Sequence, residues 1–169
     1  MSPNKNHRAS GLVIAAPNSN TGKTVFTMGL VGALRARGQN TGVAKAGPGF
    51  IDPQFLSLAT GHDCYNLDKW ALGADQVRAR ARRIAEASDL LIIEGMMGMF
   101  DGAASIDGST ADLAATLDLP VLLLVDASGQ AQSIAAVVHG FATLRSEPQV
   151  CGVVATRVGS PGHGEMLRE

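Results

Sequence analysis

The chain lacks three things that would each have set a direction. It has no apolar run approaching the ~20 residues needed to span a bilayer, and its first ten residues, MSPNKNHRAS, have no apolar core of the kind a signal peptide carries. Its two cysteines, Cys64 and Cys151, lie far apart and outside any C-x-x-C spacing, so neither a zinc site nor a disulfide framework is signalled. A reducing cytoplasm fits best. Finally, 14 basic against 15 acidic residues leave no net field to draw the chain toward nucleic acid or an anionic membrane.

What is present is one domain's worth of chain, 169 residues with 46% apolar content. Short apolar runs at 11–16, 41–45, 89–94, 120–126 and 150–155 read as buried strands. Helical patterns occupy about 22–37, 74–87, 110–117 and 130–144. Unbroken apolar strands alternating with helices predict a doubly wound α/β fold, a mainly parallel sheet flanked by helices on both faces. Residues 1–10 read as a flexible N-terminus and 11–169 as the domain. The last stretch, SPGHGEMLRE, reads as the opening of a further helix with no stop signal, so the expectation is a piece of something longer.

Ligands in such sheets gather beyond the carboxyl ends of the strands. After the first strand stands APNSNTGKT at 16–24, which ends as a phosphate loop but has Pro17 where G-x-x-x-x-G-K-[ST] asks for glycine. Asn18, Ser19 and Asn20 tolerate tight turns, and with Thr21 and Gly22 they can still wrap an anion at a helix start. Lys23 would then reach the outer phosphates and Thr24 a Mg²⁺ ion. That ion needs further oxygen ligands, for which Asp52, Glu94 and Asp126 compete. Glu94 and Asp126 each end a buried strand, and the residues alone do not rank them. Thr156 and Arg157 follow the fifth strand. The segment GMMGMFDG at 95–102 is either core or a soft apolar surface beside the charged site. Arg78, Arg80, Arg82 and Arg83 read as the solvated face of a helix whose stripe is Val77, Ala81 and Ile84. His62, His139 and His163 have no partner at ligand spacing.

Together, GLVIAAPNSNTGKT, KAGPGFIDPQF, NLDKW, EGMMGMFDG, GSTADLA, VDASGQAQSIAAVVHGF and RVGSPGHGEMLRE resemble the amino-terminal ATP-binding domain of cobyrinic acid a,c-diamide synthases, from about Gly11 to the last residue. That family and its relative dethiobiotin synthetase also lack the first loop glycine, so Pro17 matches the family pattern. The resemblance implies a P-loop enzyme of cobalamin biosynthesis that uses ATP and Mg²⁺ to phosphorylate a carboxylate of a tetrapyrrole, after which ammonia from glutamine gives an amide. It implies catalytic roles for Lys23, Asp52, Glu94 and Asp101, and nucleotide contacts from residues 18–24 with Thr156 and Arg157. It places Thr24, Asp52 and Glu94 at the metal, and so prefers Glu94 to Asp126. A glutaminase domain or protein as ammonia source is its implied partner, and a homodimer is left open. Three positions depart from the family pattern: Gly49 and Phe50 replace an acidic residue and a tyrosine, and Thr156 replaces an asparagine that reads the adenine edge. The alternatives are a nucleotide-binding remnant without catalysis, or a switch like the partitioning ATPases, against which Asn18 stands where those proteins place a second lysine.

Overall fold

Strands buried on both faces have no polar alternation, and that is how the apolar runs of this chain are used. The computed structural model describes residues 10–102 and 108–169; residues 1–9, where the flexible N-terminus was expected, lie outside them. Strands β1 (Gly11–Ala15), β2 (Thr41–Ala46), β3 (Tyr65–Leu67), β4 (Leu90–Glu94), β5 (Val121–Asp126) and β6 (Val150–Thr156) form one sheet in the order β3-β2-β4-β1-β5-β6. Every pairing is parallel.

Helices α1 (Lys23–Ala36) and α2 (Asp52–Thr60) cover one face, packing Val31, Phe26, Leu30 and Ala59 on Ile14, Ile92 and Leu124. Helices α3 (Lys69–Glu86), α4 (Thr110–Leu117) and α5 (Ile134–Thr143) cover the other, with Val77, Ala81, Leu113 and Ile134 on Val13, Ile93 and Leu123. A short α6 (Pro161–Met166) follows β6, where a further helix was expected to open.

The predicted strands hold within a residue at each end. Two elements are additional. Helix α2 carries a proline in its first turn and a left-handed Gly61 at its C-cap, a legible start and stop. Its apolar residues obscure it, because Phe55 and Leu58 point outward while only Leu56 and Thr60 are buried. Strand β3 has three residues and sits at the sheet edge, too short to show a period. Helix α3 begins at Lys69 rather than at 74, because Asp68 caps a first turn that Gly73 then interrupts. Helix α5 starts at Ile134, since residues 130–133 form turns.

The sheet order puts β1 between β4 and β5, and the chain leaves β1 for β2 on one side and later crosses to β5 on the other. The carboxyl end of β1 is therefore a topological switch point, where an open α/β sheet leaves a crevice. Register completes the arrangement: Glu94 lies beside Ile14 on one flank and beside Lys45 on the other.

Candidate nucleotide and carboxylate site

The segment after β1 folds as a phosphate loop despite Pro17. Asn20 and Gly22 both take positive φ, 64° and 93°, which turns the chain back over the start of α1. Gly22 is the N-cap of α1, and no side chain caps that helix, whereas Asp68, Ser109 and Ser160 cap α3, α4 and α6. The uncapped N–H groups of α1 and its positive dipole end thus point into open space, the physical requirement for holding phosphate oxygens. Lys23 lies almost buried across the loop, donating to the carbonyls of Asn18 at 3.0 Å and Met97 at 2.7 Å. Burial, aided by the like charge of Lys45, lowers the Lys23 pKa. Thr21 is buried and bonds Asn18 O at 3.2 Å.

Beside the loop stands an acid centre built from β4, β2 and the start of α2. Glu94 is fully buried; its Oε1 accepts from Thr24 Oγ1 at 2.5 Å and from Lys45 Nζ at 3.1 Å. Lys45 also donates to Gly95 O at 3.1 Å and pairs with Asp52 Oδ2 at 2.8 Å. Glu94 Oε2 has no partner; with Thr41 Oγ1 it makes up the unpaired buried side-chain atoms among the described residues. Burial raises the Glu94 pKa against the pull of Lys45 and Thr24. A buried carboxylate oxygen left without a donor is expensive unless something arrives to use it. Among the described residues no three His, Cys, Asp or Glu side chains form a metal cage. A Mg²⁺ ion, however, takes only one or two carboxylates alongside phosphates and waters, and Thr24, Asp52 and the free oxygen of Glu94 fit that sparse demand.

Asp126 ends β5 in quite different company. Its Oδ1 accepts Ser128 N at 2.9 Å and its Oδ2 pairs with Arg157, interactions that hold its pKa below the ordinary aspartate value. Arg157, at positive φ, passes its other nitrogen to Asn20 O at 2.7 Å, and Thr156 Oγ1 donates to Thr21 O at 3.1 Å. These three residues brace the phosphate loop from the side of β6. His163, which has no ligand partner, accepts Gly159 N at Nδ1 and meets Gln130 O through Nε2.

A cavity of about 940 Å³ joins these parts, walled by loop residues Ser19, Asn20, Gly22, Lys23 and Thr24, by Lys45, Asp52 and Glu94, and by Trp70, Met96, Met97 and Arg157. Asn18, Thr21 and Thr156 do not line it. Asp101 is exposed and outside the lining; its Oδ2 accepts Gly98 N at 2.9 Å. The 95–102 segment serves both readings offered for it. Met96 and Met97 line the cavity, while Met99 is buried and Phe100 stacks on Phe141 at 5.4 Å. The GSTADLA motif pins that segment, since Thr110 Oγ1 both accepts Met96 N and donates to Met96 O, and Ala111 N donates to Met99 O.

Lys45, near the end of β2 and shortly before GPGFIDP, stands out in the sequence among the residues at the strand ends but carries no assigned site role there. Its signal was a lysine inside an apolar strand, which persists only when paired. Gly49 lies against it: the Asn66 amide holds Gly49 from both sides, at 3.3 and 2.9 Å, and a Cβ there would come within 3.0 Å of Lys45 Cγ. Phe50 is 83% exposed. The solvated-face reading of the α3 arginines holds in part: Arg82 pairs with the exposed Glu86, but Arg78 also donates to Thr116 O on α4, and half-buried Arg80 donates to Asn66 O on β3.

An uncapped helix under a lysine-bearing loop, flanked by a buried strand-end carboxylate, defines a P-loop nucleotide-binding domain. Solved structures agree on the fold. The signal recognition particle receptor FtsY of Elizabethkingia anophelis, in complex with GDP, superposes with a TM-score of 0.66 at 13% identity, over 98% of this chain and 54% of that one. The 54 kDa signal recognition particle protein of Aeropyrum pernix K1, also with GDP, gives 0.62 at 17% identity, over 98% and 39%.

The chain belongs to the CobQ/CobB/MinD/ParA nucleotide binding domain family, whose profile matches residues 12–169. It is 50% identical over 159 residues to the hydrogenobyrinate a,c-diamide synthase of Brucella ovis, and 48% identical over 160 residues to the cobyrinate a,c-diamide synthase of Syntrophotalea carbinolica. Those matches take in 94% of this chain in each case, but only 36% and 35% of the relatives, so the chain spans about a third of their length.

Proposed function

We propose that residues 11–169 form the ATP-binding part of an amide ligase that activates the a and c carboxylates of cobyrinic acid or a related tetrapyrrole, in cobalamin biosynthesis. The observation that carries the reading is Glu94, buried beside Thr24 and Lys45 with one oxygen unpaired, at the switch point of the sheet. The similarity to a,c-diamide synthases over 94% of the chain supports the choice of substrate. The chain's balance of charge and its two unpaired thiols suit a soluble, cytoplasmic setting, and no helix among the described residues is long and apolar enough to cross a membrane.

Phosphoryl transfer asks a protein chiefly for position and charge neutralisation. The N–H groups at the start of α1 and the Lys23 ammonium take the phosphates; to do so Lys23 gives up its carbonyl partners at Asn18 and Met97. Thr24, Asp52 and Glu94 would hold Mg²⁺, which when bound screens the charge of the transferring phosphoryl group. Lys45, between Asp52 and Glu94, keeps two carboxylates at close range without mutual repulsion and presents a cation to the incoming substrate carboxylate. Attack of that carboxylate oxygen on the terminal phosphorus gives an acyl phosphate and ADP. Ammonia from a glutaminase domain or protein then displaces phosphate. Asp101 acts from the rim, fixing the Gly98 turn next to the entering carboxylate. Arg157 and Thr156 hold the loop in its binding shape, with Thr156 on the base side.

The test is calorimetric titration with Mg-ATP and Mg-GTP, followed by an assay of phosphate release with cobyrinic acid and ammonia. Release that needs both substrates and is abolished in Lys23→Ala is expected. Undiminished turnover in that variant overturns the proposal.

A further inference from the structure

Strand order arranges the cavity as a row. The phosphate loop follows β1, the segment after Glu94 follows β4, Lys45 and Asp52 follow β2, and Trp70 follows β3 at the edge. Neighbouring strands lie about 4.8 Å apart, so β3, from which the Trp70 turn leaves, is three steps or roughly 14 Å from β1, with the strands of the acid centre between them. A substrate whose carboxylate reaches the acid centre, with nucleotide phosphates on the β1 side, must lay the rest of its body toward β3.

Trp70 is the chain's single tryptophan, and 75% of it is exposed although it lines the cavity. An indole in water is a costly surface, and large rigid aromatics left at a cavity rim typically serve as contact plates. Its backbone is built to hold it there. Asp68 caps the turn through Ala71 N at 3.2 Å, Leu72 N bonds Asp68 O at 2.9 Å, and Leu72 packs on the core. Gly73 then breaks the helix at φ 73°, ψ 164°, a conformation side-chain-bearing residues avoid. The turn carrying Trp70 is thereby detached from the axis of α3 and aimed separately. Gly108 closes against it, where a Cβ would stand 3.8 Å from that of Trp70. Met97, 43% exposed, adds a soft apolar neighbour on the same wall.

We propose that Trp70 is the plate on which the face of the tetrapyrrole ring packs, so that ring recognition at β3 is separate from carboxylate activation at β4 and β2. This rests on the reading of the cavity as a tetrapyrrole site. A flat apolar disc with carboxylates at its rim matches a wall that presents Trp70 and Met97 at one end and the Lys45 ammonium, set between Asp52 and Glu94, beyond.

The test is calorimetry with cobyrinic acid as the probe, in the presence of a non-hydrolysable ATP analogue and Mg²⁺, on the parent chain, Trp70→Ala and Trp70→Phe. Thermal melts check folding, which an exposed site should preserve. Trp70→Ala is expected to lose about tenfold or more in affinity for cobyrinic acid while binding the nucleotide analogue as the parent does, and Trp70→Phe to recover most of the loss. In the amidation assay the KM for cobyrinic acid should rise with kcat nearly unchanged. Equal affinity of parent and Trp70→Ala for cobyrinic acid overturns the plate and leaves the proposed function standing. Failure of the parent to bind cobyrinic or hydrogenobyrinic acid while it binds nucleotide overturns the function and the plate together.

Discussion

Glu94 and Asp126 end the two strands that flank β1, and the fold treats them in opposite ways. Glu94 is fully buried at the cavity wall, keeps one oxygen unpaired, and has its pKa raised by burial. Asp126 is partly open, paired with Arg157 and Ser128, and has its pKa lowered. The β4 side of the switch point stores unsatisfied charge, and the β6 side spends its charge on holding a loop. Position at a strand end does not distinguish a buried, part-paired carboxylate from a brace; its partners do.

Exchanging each carboxylate for its amide separates the two residues most visibly. Glu94→Gln should cut substrate-dependent phosphate release by about 10² or more, as removal of one preorganised charged group typically does. Asp126→Asn should weaken Mg-ATP binding several-fold through a looser Arg157 and leave kcat within a small factor. Steady-state kinetics on both variants checks this, and equal loss in the two would erase the distinction.

Stability should divide carboxylates in the same way. Asp112 is held below the ordinary aspartate value of 3.8: burial pushes it up, but bonds from Ser109 and Arg145 outweigh that. A lowered folded pKa stabilises above the unfolded value and loses that contribution as pH falls through the folded one. Asp112→Asn should therefore cost about 1 kcal/mol near neutral pH, and the difference from the parent should vanish in acid below its folded pKa. Glu94 has the reverse sign, because its charged form is penalised in the fold. Glu94→Gln should be no less stable than the parent at neutral pH, so that activity and stability part at this residue. Urea titrations across the pH range measure both.

The smallest effect concerns the cysteines, one on each side. Burial, with the nearby Glu94 charge, pushes the Cys64 thiol up to about 12, whereas Cys151 lies exposed on β6. Iodoacetamide at neutral pH should label Cys151 and leave Cys64 unmodified, as mass spectrometry of the digest would report.

Much of this was legible in the sequence. Doubly buried strands write themselves as apolar runs, and the residues immediately after them contained Lys23, Thr24, Asp52, Glu94 and Arg157. What was not legible depends on contacts across the sheet. Lys45 enters the site only through the β2–β4 register, which sets it beside Glu94. The role of Asp126 depends on Arg157, 31 residues away. Helix α2 hid because its outward face is as apolar as its inward one, and Trp70 because its turn belongs to no period.

The brace from β6 carries a consequence for how the domain can be watched. Thr156 and Arg157 fasten the phosphate loop to β6, the outermost strand of the sheet among the described residues. Segments with few buried contacts open first and exchange their amide protons soonest, and no residue of β6 is fully buried. The bonds to Thr21 and Asn20 last only while β6 is formed, and nucleotide affinity becomes a gauge of whether that strand is in place.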